Sequence, residues 1–330
     1  INTFLNYPDD CAGSIMTPDY ISLKKDMTVK EALAYIRRAG MDSETVYTCY
    51  VKDEGRKLIG IVSLRTLVLS DEELTIREIM HDEYVCANVY DDQEQVSELF
   101  KKYDFLAIPV VDKEHRLVGI VTVDDILDVI EDEATEDFER MAGIIDDSDR
   151  EYLDMSVIHH AKSRLPWLIF LMVSSMITGA IITRFEAVLS QVIVLVAYMP
   201  LLMGTGGNTG SQAATLIIRG MTVGEIELSD VRKVLWKEVR VSLVIGMVLS
   251  MINFLKIILI DGQSVLIAST VCLSMLLIVV FAKLIGSLVP MTAKKIGIDP
   301  ALMANPMISS VTDMISVLTY FFLAAMLLGI

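Results

Sequence analysis

Hydrophobic and polar positions divide the chain into two halves of different character. Residues 1–164 alternate apolar with charged positions at short intervals, whereas residues 165–330 are mostly apolar. Several apolar stretches in the second half reach the roughly 20 residues that a membrane-spanning helix needs. The five predicted spans are Leu165–Thr183, Val188–Ile218, Val241–Ile260, Val265–Pro290 and Asn305–Leu328. The pattern therefore predicts a multidomain protein with an all-α membrane domain over residues 164–330.

The charged residues indicate how this domain is oriented and what it binds. Basic residues precede the first span and follow the second and fourth spans, whereas Arg184 lies on the opposite side. The positive-inside rule then predicts that residues 1–164 are cytosolic and that the C-terminus is outside. The formal net charge of −16 argues against nucleic acid as a partner and favours metal cations.

A tandem repeat occupies most of the first half. The pattern LxGIVxxxxL occurs at Leu58–Leu67 and, one residue longer, at Leu117–Leu127. Each copy has an extended start, an amphipathic helix, two strands joined by a turn, and a second helix. These segments resemble the cystathionine-β-synthase (CBS) domain pair, an α+β unit that often binds adenine nucleotides. We assign residues 14–70 and 71–132 to the two repeats, and residues 1–13 to a linker or remnant of a preceding domain.

The second repeat carries a candidate nucleotide site. CBS repeats that bind nucleotides usually have Ser or Thr followed three residues later by Asp, and Thr122 and Asp125 fit this pattern. The first repeat has Ser63 and Thr66 at these positions and so lacks the carboxylate. One adenine-nucleotide site is therefore predicted at Thr122 and Asp125, with ATP as the candidate ligand. The alternative is a purely structural pair in which Thr122 caps the following helix.

An acidic connector follows the repeats. Residues 124–154 contain fourteen Asp and Glu against two Arg, with apolar residues at helical spacing. We predict an acidic connecting helix over residues 133–163. Carboxylates at this density repel one another and attract hard divalent cations. The candidate ligands are Asp124, Asp125, Asp128, Glu131, Glu136 and Asp137. The alternative is a solvated linker.

Small and polar residues interrupt the second predicted span. Gly204, Gly206, Gly207, Asn208 and Gly210 lie within the sequence PLLMGTGGNTGSQ. The spacing of Gly206 and Gly210 allows close helix packing. Packing does not account for Asn208, because a polar group in a span usually faces the bundle interior or a wet cavity.

Asp313 is the most informative residue of the fifth span. A carboxylate within a span costs roughly 2.5–3.5 kcal/mol, so a functional role is the default expectation. Asn305, Ser309, Thr312 and Ser316 recur with it at helical intervals and form a polar stripe. An ion pair between Asp313 and Lys283 is the structural alternative.

Together these features resemble the MgtE family of magnesium channels and transporters. The resemblance includes the glycine-rich sequence, DPALMANP from Asp299 to Pro306, Asp313, and a CBS pair with an acidic connector before five spans. It implies a homodimer in the lipid bilayer of the inner or plasma membrane, with a Mg²⁺ pore between the subunits. The family usually has an N-terminal helical domain before the CBS pair, and residues 1–7 are the candidate for its last remnant.

The resemblance also implies roles for individual residues. Asp313 matches the pore aspartate that holds hydrated Mg²⁺, and Asn305 matches a pore-lining amide. The connector matches a plug helix that closes the pore when cytosolic Mg²⁺ bridges acidic faces, and Asp299 matches a cytosolic-side carboxylate in that scheme. The pore-lining stretch is represented by Gly204, Gly206, Gly207 and Asn208.

Other functions were weighed against this one. A CBS-regulated transporter for Mn²⁺ or Co²⁺, gated by adenine nucleotide, is the nearest alternative. An anion channel would need basic or donor-rich pore residues, and Asp313 has the wrong sign. A membrane metalloprotease would need HExxH, which the adjacent His159 and His160 do not supply. A nucleotide sensor with an inert anchor would not need Asp313. The protein is therefore expected not to be an enzyme.

Overall fold

The structure is a computed structural model that describes residues 7–145, 152–186, 192–303 and 305–329, without the side chain of Asn305. It consists of two compact units, Ile1–Thr135 and Glu136–Ile330. The boundary falls within the helix Val123–Met141. The polar and apolar halves of the sequence thus correspond closely to two separately packed bodies.

Each repeat of the first unit forms a three-stranded sheet with helices. In both sheets the first strand is parallel to the second, and the second is antiparallel to the third. The strands are β1 (Tyr20–Lys24), β2 (Thr45–Lys52), β3 (Leu58–Ser63), β4 (Ala87–Asn88), β5 (Ala107–Val111) and β6 (Leu117–Thr122). The helices are α1 (Ala12–Ile15), α2 (Val29–Ala39), α3 (Leu64–Leu69), α4 (Ile76–Ile79), α5 (Gln93–Tyr103) and α6 (Val123–Met141). The predicted α+β repeats are confirmed.

Equivalent turns join the second and third strands of each sheet. The side chains of Asp53 and Asp112 each accept a hydrogen bond of 2.8 Å from the backbone N–H four residues later. Each turn also places one residue in the left-handed region, Arg56 at φ 65° and His115 at φ 62°. Short acidic side chains close such turns locally, which is why both copies keep Asp at this position.

The two repeats share strands and a core. Thr17 pairs with Ile120 of β6, and His81 pairs with Ile61 of β3, each through two backbone hydrogen bonds of 2.8 and 2.9 Å. A residue near the start of each repeat, ahead of its first strand, therefore extends the sheet of the other repeat. The shared buried core contains Tyr50, Leu58, Ala107, Val111, Leu117 and Ile120. This exchange makes the pair a single folding unit.

The connector differs from the single helix predicted over residues 133–163. Helix α6 begins within the second repeat and ends at Met141, and α7 (Val157–Arg184) begins after Ser156. Two local features separate the helices. Gly143 adopts φ 72°, a conformation that ends a helix, and the Ser156 side chain caps α7 by accepting a hydrogen bond of 3.2 Å from the His159 N–H.

Long helices form the second unit. Besides α7 they are α8 (Met199–Thr222), α9 (Val231–Leu259), α10 (Val265–Lys295) and α11 (Asn305–Leu328). Among the described residues, four helical segments are long and apolar enough to cross a membrane: Val157–Arg184, Leu228–Leu259, Val265–Lys295 and Pro300–Leu328. Helix α8 has sufficient length, but its glycines, Asn208 and Gln212 lower its hydropathy. Its crossing of the membrane therefore stays a prediction, and residues 188–191 of the predicted second span lie outside the described part.

Candidate metal-ion pathway

Asp313 lies near the middle of α11 and is partly buried. Within the described part of the chain, its carboxylate has no hydrogen-bond or ion-pair partner. The alternative, an ion pair between Asp313 and Lys283, is not formed, because Lys283 pairs with Glu238. A carboxylate that is neither paired nor fully exposed in an apolar helix bundle remains available to an external cation.

The glycines of α8 fall on two faces of the helix. Gly206 and Gly207 are buried, whereas Gly204 and Asn208 are exposed in the single chain. A Cβ atom added at Gly206 would come within 2.6 Å of Ser316 Oγ, and one at Gly207 within 3.4 Å of Ser309 Oγ. The buried glycines thus allow α8 and α11 to pack closely, as the spacing of Gly206 and Gly210 predicted.

The same contacts show how α11 is oriented relative to α8 and which of their residues lie at the same height. Gly206 faces Ser316, and Gly207 faces Ser309, so the two helices run antiparallel. Asp313 lies between Ser309 and Ser316 along α11 and is therefore level with Gly206 and Gly207. The exposed Asn208 belongs to the same turn of α8. Asp313 and the exposed face of α8 accordingly lie at one depth of the helix bundle.

Most of the predicted polar stripe on α11 faces the seam with α8. The hydroxyl groups of Ser309 and Ser211 lie 3.4 Å apart, and the Thr312 hydroxyl donates to the backbone oxygen of Ile308 at 2.8 Å. Ser316 Oγ is buried and has no hydrogen-bond partner within the part of the chain that the structure describes. Asn305 was predicted to line the pore, but its side chain lies outside the described part. Asp313 is the charged member of the stripe and is partly buried.

A buried ion pair that the sequence reading missed lies elsewhere in the second unit. Lys283 Nζ on α10 is 3.0 Å from Glu238 Oε2 on α9, and their side chains are 4% and 12% exposed. The sequence places Glu238 among basic residues that resemble a cytosolic loop. Lys283 was the one indication of this pair in the sequence, because a lysine within an apolar span needs a counter-ion.

The carboxylate of Asp299 has protein partners. Its Oδ2 atom lies 2.7 Å from Arg140 Nη1, and its Oδ1 atom accepts a hydrogen bond of 2.8 Å from the Ala301 N–H. Arg140 also forms an ion pair with Glu136 one turn earlier in α6. The predicted cation site around Asp299 is thus occupied by a guanidinium group. This arrangement was not anticipated, although Arg140 stands out as a rare basic residue in the acidic connector.

The other predicted connector ligands lie along α6. Asp124, Asp128 and Glu131 are exposed, Asp125 and Asp137 are partly buried, and the side chains of Asp125 and Asp137 have interactions of their own. No group of three or more metal-binding side chains comes together among the described residues. Their role as Mg²⁺ ligands therefore stays a prediction.

The predicted nucleotide-binding pair is present as a local contact. Thr122 is buried, and its Oγ1 atom donates a hydrogen bond of 2.7 Å to Asp125 Oδ2. In the first repeat, Ser63 Oγ accepts from the Thr66 N–H at 3.0 Å and caps α3. The two positions are thus structurally equivalent, and the Thr122 side chain already has a partner within the chain.

A cavity of about 450 Å³ lies in the first unit, beside Ser63. Its lining includes Tyr50, Glu83, Tyr84, Phe105 and Ala107. Tyr50 Oη is buried without a hydrogen-bond partner among the described residues, and burial raises the pKa of this phenol, so the hydroxyl stays protonated. Aromatic rings with a few polar groups in a cavity of this size are typical of a small-molecule site.

Comparison with known proteins extends these observations. Residues 199–323 match the family described as a divalent cation transporter, MgtE, and residues 12–72 and 76–132 match CBS domains. The chain is 42% identical over 328 residues to the magnesium transporter MgtE of Thermus thermophilus, covering 99% of this chain and 72% of that protein. It is 36% identical over 324 residues to the magnesium transporter MgtE of Bacillus subtilis, covering 98% and 71%.

A solved structure was also found. The cytosolic domain of the Mg²⁺ channel MgtE in complex with ATP is 48% identical, with a TM-score of 0.38, covering 39% of this chain and 52% of that one. The relatives are named as transporters, which confirms the expectation that the protein is not an enzyme. By its sequence along almost its whole length, and by the CBS pair and helical domain that it carries, the chain belongs to the MgtE family of divalent cation transporters.

Proposed function

We propose that the protein conducts Mg²⁺ across the cell membrane along a path lined by Asp313 and the exposed face of α8. The observation that carries the proposal is the carboxylate of Asp313, which lies at the level of Gly206 and Gly207 and has no partner among the described residues. Relatives that match nearly the whole chain are named magnesium transporters, which supports Mg²⁺ as the ion.

A second copy of the chain completes the path. Gly204, Asn208 and the edge of α11 with Asp313 form a polar surface that a single chain leaves open, and such a surface does not face lipid. A homodimer with this surface at its axis would place two carboxylates around one ion. Lipid would cover the remaining apolar faces, including most of α7.

The proposed chemistry is outer-sphere binding. Mg²⁺ releases water reluctantly and keeps several waters when it binds. A wide site with two Asp313 carboxylates supplies charge, and the amide of Asn208 accepts or donates hydrogen bonds to the water shell. Such a site selects a hydrated divalent cation without a cage of direct ligands. The CBS unit and connector lie in the cytosol, and the C-terminus lies outside.

Closure is proposed to depend on cytosolic Mg²⁺ at the acidic connector. Asp124, Asp128 and Glu131 are exposed on α6 and repel one another unless cations bind between them. Mg²⁺ bound there stabilises the closed state, which gives negative feedback. Because Glu136 and Asp299 are paired with Arg140, we assign the Mg²⁺ dependence to the remaining carboxylates.

Uptake of Mg²⁺ into proteoliposomes tests the proposed path. Asp313→Ala should abolish uptake while the dimer still assembles. Ser310→Ala is a matched control on the same helix, because Ser310 lines a different groove, between α7 and α11. Uptake by Asp313→Ala at the unmutated rate would remove Asp313 from the path. Competition by Mn²⁺ and Co²⁺ in the same assay decides between Mg²⁺ and the alternative divalent cations.

Regulation by an adenine nucleotide is a second proposal. The cavity beside Ser63 is lined by aromatic rings, among them that of Tyr50, whereas Thr122 and Asp125 bind each other. Calorimetry with ATP separates the two positions. Thr48→Trp fills the cavity, and Asp125→Ala removes the carboxylate of the second repeat. Loss of binding in Thr48→Trp alone assigns ATP to the cavity, loss in Asp125→Ala alone assigns it to the second repeat, and no binding at millimolar ATP rejects both.

A further inference from the structure

Arg140 joins the last turn of α6 to the segment that leads into α11. Its guanidinium group lies between two carboxylates, those of Glu136 and Asp299, with 2.7 Å from Nη1 to Asp299 Oδ2. Asp299 immediately precedes the short helix Pro300–Met303, after which α11 begins. The contact therefore connects the end of the acidic connector to the start of the helix that carries Asp313.

The ion pair belongs to a larger docked surface. Met141, next to Arg140, packs against Ala214, Ile218 and Ile308 of α8 and α11. The Ile145 N–H donates a hydrogen bond of 3.1 Å to the backbone oxygen of Ser163 in α7. The end of the connector is thus seated on three helices of the second unit, and Arg140 contributes the charged contact of that seat.

The contact around Arg140 resembles a divalent cation site in which a guanidinium group stands in place of the metal ion. Two carboxylates face a single positive group, which is the arrangement that Mg²⁺ would otherwise bridge. A guanidinium group stays protonated in proteins, and its planar set of donors can reach both carboxylates. Unlike Mg²⁺, this cation cannot dissociate. Its occupancy is therefore independent of the Mg²⁺ concentration.

We propose that Arg140 is a built-in cation that latches the connector to Asp299 whether or not Mg²⁺ is present. The latch adds a constant bias toward the closed state, and the concentration dependence arises from the exposed carboxylates of α6. Arg140 thus sets the Mg²⁺ concentration at which closure occurs but not the steepness of the response. This inference rests on the proposed Mg²⁺ conduction and closure.

Flux measurements on the full-length protein test the latch. Arg140→Gln removes the charge and should shift half-inhibition to about three- to tenfold higher Mg²⁺, a modest change because the pair is partly exposed. The slope of the inhibition curve should stay unchanged. Lys295→Gln is the matched control, since it removes one positive charge from an exposed position four residues before Asp299. An unshifted midpoint or a flattened slope for Arg140→Gln overturns the latch.

Charge reversal sharpens the test. Arg140→Asp places a third carboxylate at the seat, so Mg²⁺ should now bind there and the inhibition curve should become steeper. Combining Arg140→Asp with Asp299→Arg restores an ion pair and should return the slope to that of the unmutated protein. A double variant that behaves like Arg140→Asp alone would contradict a direct contact.

A measurement independent of flux keeps the latch and the proposed function distinguishable. Hydrogen exchange of residues 139–145 in the full-length protein with chelator should be about three- to tenfold faster in Arg140→Gln than in the unmutated protein or Lys295→Gln. Equal exchange in all three overturns the latch. If the unmutated protein takes up no Mg²⁺, the proposed function fails while the exchange result still decides the latch.

Discussion

Two carboxylates of the helical unit, Glu238 and Asp313, occupy opposite chemical situations. Glu238 is largely buried and lies 3.0 Å from the buried ammonium group of Lys283. Asp313 is partly buried and has no partner within the described part of the chain. A charge buried with its counter-ion is neutral as a pair and holds two helices in register. A carboxylate without a counter-ion in the protein can still bind an external cation favourably.

Asp313→Asn separates these situations most strongly. The substitution keeps the size of the side chain but removes the charge, so Mg²⁺ uptake should fall to background. Stability should be unchanged or raised by at most about 3 kcal/mol, since an unpaired carboxylate in a span is costly. Uptake in proteoliposomes and thermal unfolding in detergent provide the two measurements. A large loss of stability in Asp313→Asn would mean that this carboxylate has a structural partner after all.

Lys283→Met should have the opposite effect from Asp313→Asn, namely a large loss of stability. It leaves the carboxylate of Glu238 buried without compensation, which costs about 3–5 kcal/mol. The double variant Glu238→Gln with Lys283→Met removes both charges and should recover most of that stability, because replacing a whole buried pair is often neutral. Uptake per folded molecule should change little in the double variant. If the double variant is no more stable than Lys283→Met, the pair is not the source of the loss.

The sequence alone identifies Asp313 as a carboxylate within a span but does not identify Glu238 as one, and the reason is physical. Asp313 stands out because apolar residues surround it along the chain. Glu238 lies among Arg232, Lys233, Lys237 and Arg240, so hydropathy assigns it to a loop. In the structure α9 begins at Val231, well before the predicted span, and helical spacing turns Glu238 toward α10. Which side chain faces a neighbouring helix is a tertiary property that hydropathy does not encode.

The connector shows the same limit. The spacing of the apolar residues predicted a helix, and the charge density predicted cation binding. Helix α6 is present, but its end is set by the conformation of Gly143, and the next helix starts at the cap of Ser156. Whether a carboxylate meets Mg²⁺ or an arginine depends on a contact between Arg140 and Asp299, which are far apart in the chain. The repeats, by contrast, were predictable because each carries its own period, turn and cap.

Two glycines extend the comparison to packing, because Gly286 is enclosed by neighbouring helices and Gly204 is exposed. A Cβ atom at Gly286 of α10 would overlap the backbone oxygen of Gly210 and lie 3.2 Å from Ala213 Cβ, so Gly286→Ala must separate α8 from α10. We expect a loss of about 1–3 kcal/mol, as for other overpacked cores.

Gly204→Ala is the matched control, because nothing lies within 4 Å of its added Cβ atom. Alanine also favours a helix over glycine by about 1 kcal/mol, so Gly204→Ala should leave thermal stability unchanged or slightly raised. Uptake discriminates further, since a methyl group on the proposed path should slow Mg²⁺ flux in Gly204→Ala without any loss of folded protein. Equal stability losses in the two variants would show that both faces of α8 are packed within one chain. The exposed face with Gly204 and Asn208 would then be a packing surface, leaving Asp313 without a lined path.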